Sequence, residues 1–417
     1  MTSPERSFSL RSVALAAFLP SLVFSIGEGA IIPIIPVIAS NLGVNLAVAG
    51  LIAGMIMVGK LIGDIPSGWI TTSIGERMAM IYASFLSVIG LFTAMLAPNP
   101  WLLTLGILLV GLAAAVFGLA RHAFMTSYIP FAYRARALSS LAGTFYFGYF
   151  IGPLISAGVI HLTGTSQSVF WIHIIACLAA AGVLLVLPDP SATFGTAPGR
   201  SGRLQDAALG APKALGLFHA IWMSRGVLVK LGGGAALMGA MRASRQVILP
   251  LWAVSIAISD TNTALIIGIA GGIDFALFYT GGQIMDRFGR LWTAVPSMIG
   301  VGVGFTVLMF THDVPGRLAW FIAVAVLLSL ANGIVSGLRM TLGADLADEN
   351  NPAPFLGAWR FTGDAGSAAA PLAISLITAL GSLAIATGFM GVFGLIGAGI
   401  FARYIPRYVT HTSRRSR

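Results

Sequence analysis

Residues 78–127 read MAMIYASFLSVIGLFTAMLA, then PNP, then WLLTLGILLVGLAAAVFGLARHAFMTS, with no charged residue between Arg77 and Arg121. Each apolar run is about 20 residues or longer, the length a helix needs to cross a hydrocarbon core of about 30 Å. Pro98-Asn99-Pro100 between them marks a tight joint. Backbone N–H and C=O groups find no water in lipid, so a spanning segment must be a helix or part of a closed barrel. A barrel strand alternates polarity over about ten residues, and these runs do not. The stretch is therefore expected to be a helical hairpin inside a membrane.

The same reading extends in both directions. Further apolar runs cover 13–38, 47–71, 136–160, 168–187, 227–258, 263–284, 291–311, 317–343, 355–379 and 382–404, which makes twelve expected spans with 78–97 and 101–127. The chain is 57% hydrophobic and 9% charged, against about 45–50% and 25% for a soluble domain. Its net charge of +10 sits at the ends of the apolar runs, as in Arg134-Ala135-Arg136 and Arg287-Phe288-Gly289-Arg290. That placement follows the positive-inside bias and argues against a nucleic-acid surface. The basic joints, Arg6 and Arg11, and Arg414, Arg415 and Arg417 all fall on one side, so both termini are expected in the cytoplasm and the chain in the inner membrane. Met1 to Leu10 lacks a cleavable signal, so the first run is expected to remain as a helix. Cys177 lies alone inside an apolar run, the six histidines have no metal-ligand spacing, and there is no Gly-x4-Gly-Lys-Ser/Thr loop for nucleotide phosphates. No cofactor or metal is expected, and no enzyme activity.

A polar stretch over 188–220, with Pro188, Pro190, Pro198, Arg200, Arg203 and Lys213, separates residues 1–187 from 221–417. It reads as a cytoplasmic linker between two six-helix bundles. The halves overlay by arithmetic. Pro36 and Pro250, Gly68 and Gly282, and Gly75 and Gly289 all lie 214 residues apart; Arg121 and Arg339, Gly148 and Gly366, and Pro153 and Pro371 all lie 218 apart. Two parallel repeats with a substrate site between them is a known transporter plan.

Gly282-Gln283-Ile284-Met285-Asp286-Arg287-Phe288-Gly289-Arg290 resembles the signature loop of the major facilitator superfamily, and the resemblance covers essentially the whole chain. It implies an all-α fold of two pseudo-symmetric six-helix bundles that works by alternating access, usually as a monomer. Asp286 and Arg287 are then expected at a cytoplasmic gate, with Arg339 as a partner for Asp286. The first-half copy keeps Gly68, Gly75 and Arg77 but carries Thr72 and Ser73 in place of the acidic and basic pair. Asp64, one turn earlier, is the candidate substitute, paired with Arg121 or Arg360. Gly27 to Pro36, with Pro33 and Pro36, and Gly148 to Pro153, with Gly148, Gly152 and Pro153, are similar to motifs of the drug/proton antiporter branches. Together with Pro250 they are expected to bend helices or bring them close. The arginine those branches place early in helix 4 is Ile107 here, so coupling through that residue does not carry over.

Charged side chains within spans cost about 2.5–3.5 kcal/mol near the bilayer centre and usually face a cavity or a partner. The 214 offset relates Glu28 to Arg242 and Lys60 to Asp274. Because the resemblance places helices 1 and 7 across the central cavity, Glu28 and Arg242 are candidates for an ion pair there, in which Glu28 holds the arginine in one state and takes a proton in another, or serves the substrate. Arg245 and Gln246 are expected beside them; Lys60 has two candidate partners, Asp274 and, in a gate contact, Asp364, whose face Arg360 shares. Asp274 is a second protonation candidate, with Tyr146 as its neighbour. Trp252, Phe278, Tyr279, Phe145 and Tyr149 are candidate pocket walls. Arg121 and Arg339 fall near the cytoplasmic helix ends, where lipid headgroups are an alternative partner.

These residues lead to an expectation of proton-coupled export of a small hydrophobic or amphipathic compound, with protons and the lipid bilayer as the other partners. An organic anion or sugar carrier on the same fold is the alternative, favoured if the arginines are unpaired. A lipid scramblase or a membrane-embedded enzyme is the alternative from another class.

Overall fold

The computed structural model describes residues 10–128, 131–186, 221–347 and 352–409. The linker 188–220 and the terminal arginines Arg6, Arg414, Arg415 and Arg417 lie outside them. Among the described residues the chain is helical throughout, with no strand.

The first half comprises α1 (Leu10–Ile31), α2 (Ile35–Asn41), α3 (Leu46–Ile74), α4 (Glu76–Met95), α5 (Pro100–Tyr128), α6 (Phe131–Thr163) and α7 (Val169–Val186). The second comprises α8 (Gly233–Ser255), α9 (Asp260–Phe288), α10 (Leu291–Met309), α11 (Arg317–Ile334), α12 (Leu338–Leu346), α13 (Pro352–Leu380) and α14 (Leu383–Tyr408). The pairs α1/α2 and α11/α12 each make one crossing, so the described residues make twelve. Eleven are long and apolar enough to be recognised as spans by composition. The twelfth is α8, whose two arginines lower its hydropathy because one face of it lines the interior. A π-helical turn, Leu228–Gly232, leads into it.

Proline and glycine set the breaks. Pro33 and Pro36 each lack an N–H, and the first crossing duly interrupts between Ile31 and Ile35. The other interrupted crossing breaks at Gly337, with φ of 85°. Pro153 and Pro250 sit inside α6 and α8. Gly75 and Gly289, related by the repeat offset, end α3 and α9 with φ of 85° and 97°, a conformation that excludes most side chains.

The two halves pack alike. α3 lies on α5, α1 on α6 and α7, and α4 on α5 and α7; their equivalents are α9 on α11, α8 on α13 and α14, and α10 on α11 and α14. The offset glycines serve one purpose in both copies: a Cβ on Gly148 would come within 2.6 Å of the Ser25 backbone, and one on Gly366 within 2.1 Å of the Ala236 carbonyl oxygen. The halves meet along α6–α9 and α3–α13. The helix ends near both termini are called the terminal end below, and the others the far end.

Candidate functional site

The first crossing and α6 of the first half and α8, α9 and α11 of the second line the central cavity, and interior charges of the second half face it. α8 contributes Arg242, Arg245 and Gln246, which one turn of helix brings to one side. They line a cavity of about 70 Å³ with Asp274 of α9, Asn332 of α11, Phe145, Tyr146, Tyr149 and Pro153 of α6, and Gly29, Ile32 and Pro33 of the first crossing. Pro250 also lines it. Binding sites for drug-sized ligands usually run to about 300–1,000 Å³, so this cavity is closed around little more than its own side chains.

One network spans the cavity. Arg245 ion-pairs with Asp274, donating through Nη1 to Oδ1 at 3.1 Å and through Nη2 to Oδ2, and Nη1 also donates to the Ser329 hydroxyl at 3.2 Å. Asn332 donates from Nδ2 to Asp274 Oδ1 at 3.2 Å and accepts on Oδ1 from Arg242 Nε at 3.2 Å. Arg242 Nη2 donates to the Tyr146 hydroxyl at 3.2 Å, the link to the first half. Asp274 is therefore neutralised by Arg245, whereas Arg242 holds only neutral partners among the described residues. The set Arg242, Arg245 and Asp274 carries one net positive charge.

The first half holds its own pair. Glu28, 3% exposed, ion-pairs with Lys60 of α3. Tyr149, His173 and Arg121 lie close enough to act on Glu28 electrostatically. The expected Glu28–Arg242 pair across the pseudo-twofold axis is not formed. Positions related by symmetry sit on opposite sides of the axis: Glu28 finds its counter-ion on α3 of its own half, while Arg242 is held by Asn332 and Tyr146. Lys60, taken by Glu28, meets neither Asp364 nor Asp274, and Tyr146 hydrogen-bonds Arg242 instead of Asp274, which Arg245 and Asn332 occupy.

The gate residues gather at the terminal end. Arg360 Nη2 of α13 meets Asp64 Oδ1 of α3 across the halves at 2.9 Å, and Arg360 Nε approaches Asp364 Oδ2 at 3.5 Å. Asp364 in turn takes Arg339 Nη1 at 2.9 Å. Asp286 does not reach Arg339: it is 80% exposed and pairs loosely with Arg290 at 3.5 Å, while Arg290 Nε meets Asp345 at 3.0 Å. Arg287 lies over the Phe288 ring at 5.4 Å. At the far end Ser166 hydrogen-bonds Asp260 across the halves, and the Ser375 hydroxyl donates to the Ala47 carbonyl at 2.6 Å. Both ends are bridged, which is why the cavity is small. Replacing Arg360 with Gln is expected to speed thiol labelling of a Ser67→Cys probe in a Cys177→Ser background by about five- to thirtyfold, the factor for 1–2 kcal/mol; an unchanged rate would remove Arg360 from the gate.

Two aromatic expectations fail. Trp252 is fully buried and packs edge-on against His312 at 5.2 Å, beneath a far-end vestibule that His312 lines, and Tyr279 is 72% exposed on the outer surface. Phe278 reaches the site only indirectly, its ring tilted against Tyr146 with centroids 5.0 Å apart. Sequence reading missed Asn332, Ser329 and Asp260. Asn332 carried a signal, as an amide in an otherwise apolar run of a span; the two others have none that composition would single out.

The sequence profile of the Major Facilitator Superfamily matches residues 17–273 and 231–417. The chain is 25% identical over 191 residues to Probable inositol transporter 3 of Arabidopsis thaliana, covering 45% of this chain and 33% of that protein. It is 24% identical over 182 residues to the galactose-proton symporter of Escherichia coli K12, covering 44% and 39%. It is 30% identical over 150 residues to Probable anion transporter 6 of Oryza sativa subsp. japonica, covering 36% and 34%. The matched segments thus span about a third of each relative's length. Among solved structures, a POT family transporter in complex with a thioalcohol-conjugated peptide superposes with a TM-score of 0.78 over 95% of this chain and 96% of that one, at 14% identity, a likeness of fold.

Proposed function

Because the chain belongs to the Major Facilitator Superfamily, we propose that it is a secondary transporter that carries a small organic anion across the membrane by alternating access, coupled to protons. The observation that carries this reading is Arg242, a permanent cation in the central cavity whose partners among the described residues are an amide and a phenol. A guanidinium presents a planar fork that matches a carboxylate or phosphate, and hydrogen bonds to a charged group contribute about 1.5–3 kcal/mol each. Phe145, Tyr149, Ile32 and Leu249 supply apolar wall for the rest of the solute.

The expected export of a hydrophobic compound gives way to this reading, since the relatives above are named for inositol, galactose and anion transport. A sugar remains the second reading, favoured by two of those three names and by the hydrogen-bonding set Tyr146, Gln246 and Asn332. Glu28 is the proposed seat of the coupled proton, and the Asp64–Arg360 contact the proposed gate. The chain is placed in the inner membrane with both termini in the cytoplasm on the strength of its basic joints.

The test is uptake into proteoliposomes under an imposed pH gradient, with matched anionic, neutral and cationic probes. Arg242→Gln is expected to lower anion uptake by about ten- to a hundredfold, the equivalent of one charged hydrogen-bonding contact. Uptake confined to neutral sugars and indifferent to Arg242→Gln would replace the anion by the sugar.

A further inference from the structure

We propose that Arg121 is a second anion station, between the central cavity and the terminal end, and that the substrate's acidic group passes from Arg242 to Arg121 when that end opens. The proposal rests on the anion reading above and adds a binding position outside the central cavity.

Arg121 on α5 makes no hydrogen bond and no ion pair among the described residues, and its Nε is buried. A guanidinium carries five donors and keeps its charge, so burial without an acceptor is costly unless a ligand brings one. The other interior cations are engaged: Lys60 by Glu28, Arg245 by Asp274, Arg339 by Asp364, and Arg360 by Asp64. Arg242 and Arg121 are left, one from each half.

A short route joins them. Arg242 donates to Tyr146, the Tyr146 and Phe145 rings stand edge to face at 6.2 Å, and the Arg121 guanidinium carbon lies 5.9 Å from the Phe145 centroid. Phe145 lines the cavity, so its ring is the partition between the two cations. Depth gives the direction. Arg121 is seven residues from the end of α5, roughly 10 Å at 1.5 Å per residue, whereas Phe145 is fourteen residues into α6, roughly 21 Å from the same end. The charges acting on Arg121 are Glu28, Arg360 and the Tyr149 hydroxyl. Glu28 is occupied by Lys60, and Arg360 belongs to the terminal gate, so an anion released past Phe145 meets net positive charge and then the gate itself.

The test separates binding from movement. The full chain, in detergent for calorimetric binding and in proteoliposomes for counterflow, is offered butyrate, benzoate and glycerol 3-phosphate. Arg121→Gln is expected to bind the tightest of these within about twofold of wild type and to exchange it about tenfold more slowly or worse, a change of about 1.4 kcal/mol in barrier. Arg121→Lys, which keeps the charge without the fork, is expected at an intermediate rate with unchanged binding, and it decides the matter if Arg121→Gln does not fold. Binding and exchange falling together, or neither changing, would overturn the second station alone. So would a defect that depends on anionic lipid in the vesicle, which would assign Arg121 to a lipid headgroup. Wild type binding none of the three would overturn the anion reading, and this station with it.

Discussion

Replacing Glu28 with glutamine is expected to abolish accumulation driven by a pH gradient, by about a hundredfold, while counterflow exchange stays within about threefold of wild type. The reason is the burial of the Glu28–Lys60 pair. Glu28 is 3% exposed, while the Lys60 side chain is 27% exposed. A carboxylate in that position can release its lysine only by taking a proton, because leaving the carboxylate charged and alone in the bilayer interior costs several kcal/mol. Proton arrival at Glu28 is thereby tied to movement of α3 relative to α1, and α3 is a helix that meets the second half. Glutamine fills the same space in a permanently neutral form, so the helices remain free to move but the gradient loses its handle. The measurement is solute accumulation at fixed membrane potential with and without a pH step, beside counterflow in its absence. Accumulation that survives in Glu28→Gln would move the coupling site to Asp274, the other buried carboxylate of the centre.

The second large effect is expected on stability. Arg245→Met alone should lower the unfolding free energy by about 3–5 kcal/mol, because it strands the Asp274 carboxylate, 4% exposed, with the Asn332 amide as its remaining polar partner. Arg245→Met combined with Asp274→Met removes both charges and should restore most of that loss. Thermal or denaturant unfolding of the purified chain reads both numbers. A double variant no better than the single one would mean that the pair holds the α8–α9 contact by shape and not by charge.

The architecture was legible because it depends on local sequence. Runs of about 20 apolar residues mark the crossings, Pro33 and Pro36 the break in the first, and Gly75 and Gly289 the ends of α3 and α9. The 214 offset exposed the repeat, and the structure shows that repeat in matching helix contacts and matching positive-φ glycines. The gate was partly legible. Asp64 does meet Arg360, one of its two expected partners, whereas the signature loop misdirected attention to Asp286, which lies exposed and away from Arg339.

The centre was legible as an inventory of residues but not as a set of pairs. Glu28, Lys60, Arg242, Arg245 and Asp274 stand out in the sequence because charge inside an apolar run is costly. By itself the sequence determined twelve crossings, two related halves, the family and the identity of the interior charges, since hydropathy, proline and glycine act along the chain. Only the tertiary structure decided which charge neutralises which, because that depends on how each helix is rotated and crossed against its neighbours. The outcome is two charge-inverted copies of one arrangement: acid on α1 with base on α3, and base on α8 with acid on α9. Repeat symmetry carries a position across the axis, but an ion pair needs atoms within a few ångströms: at the centre those lie in the same half, whereas at the gate Asp64 finds Arg360 across the halves.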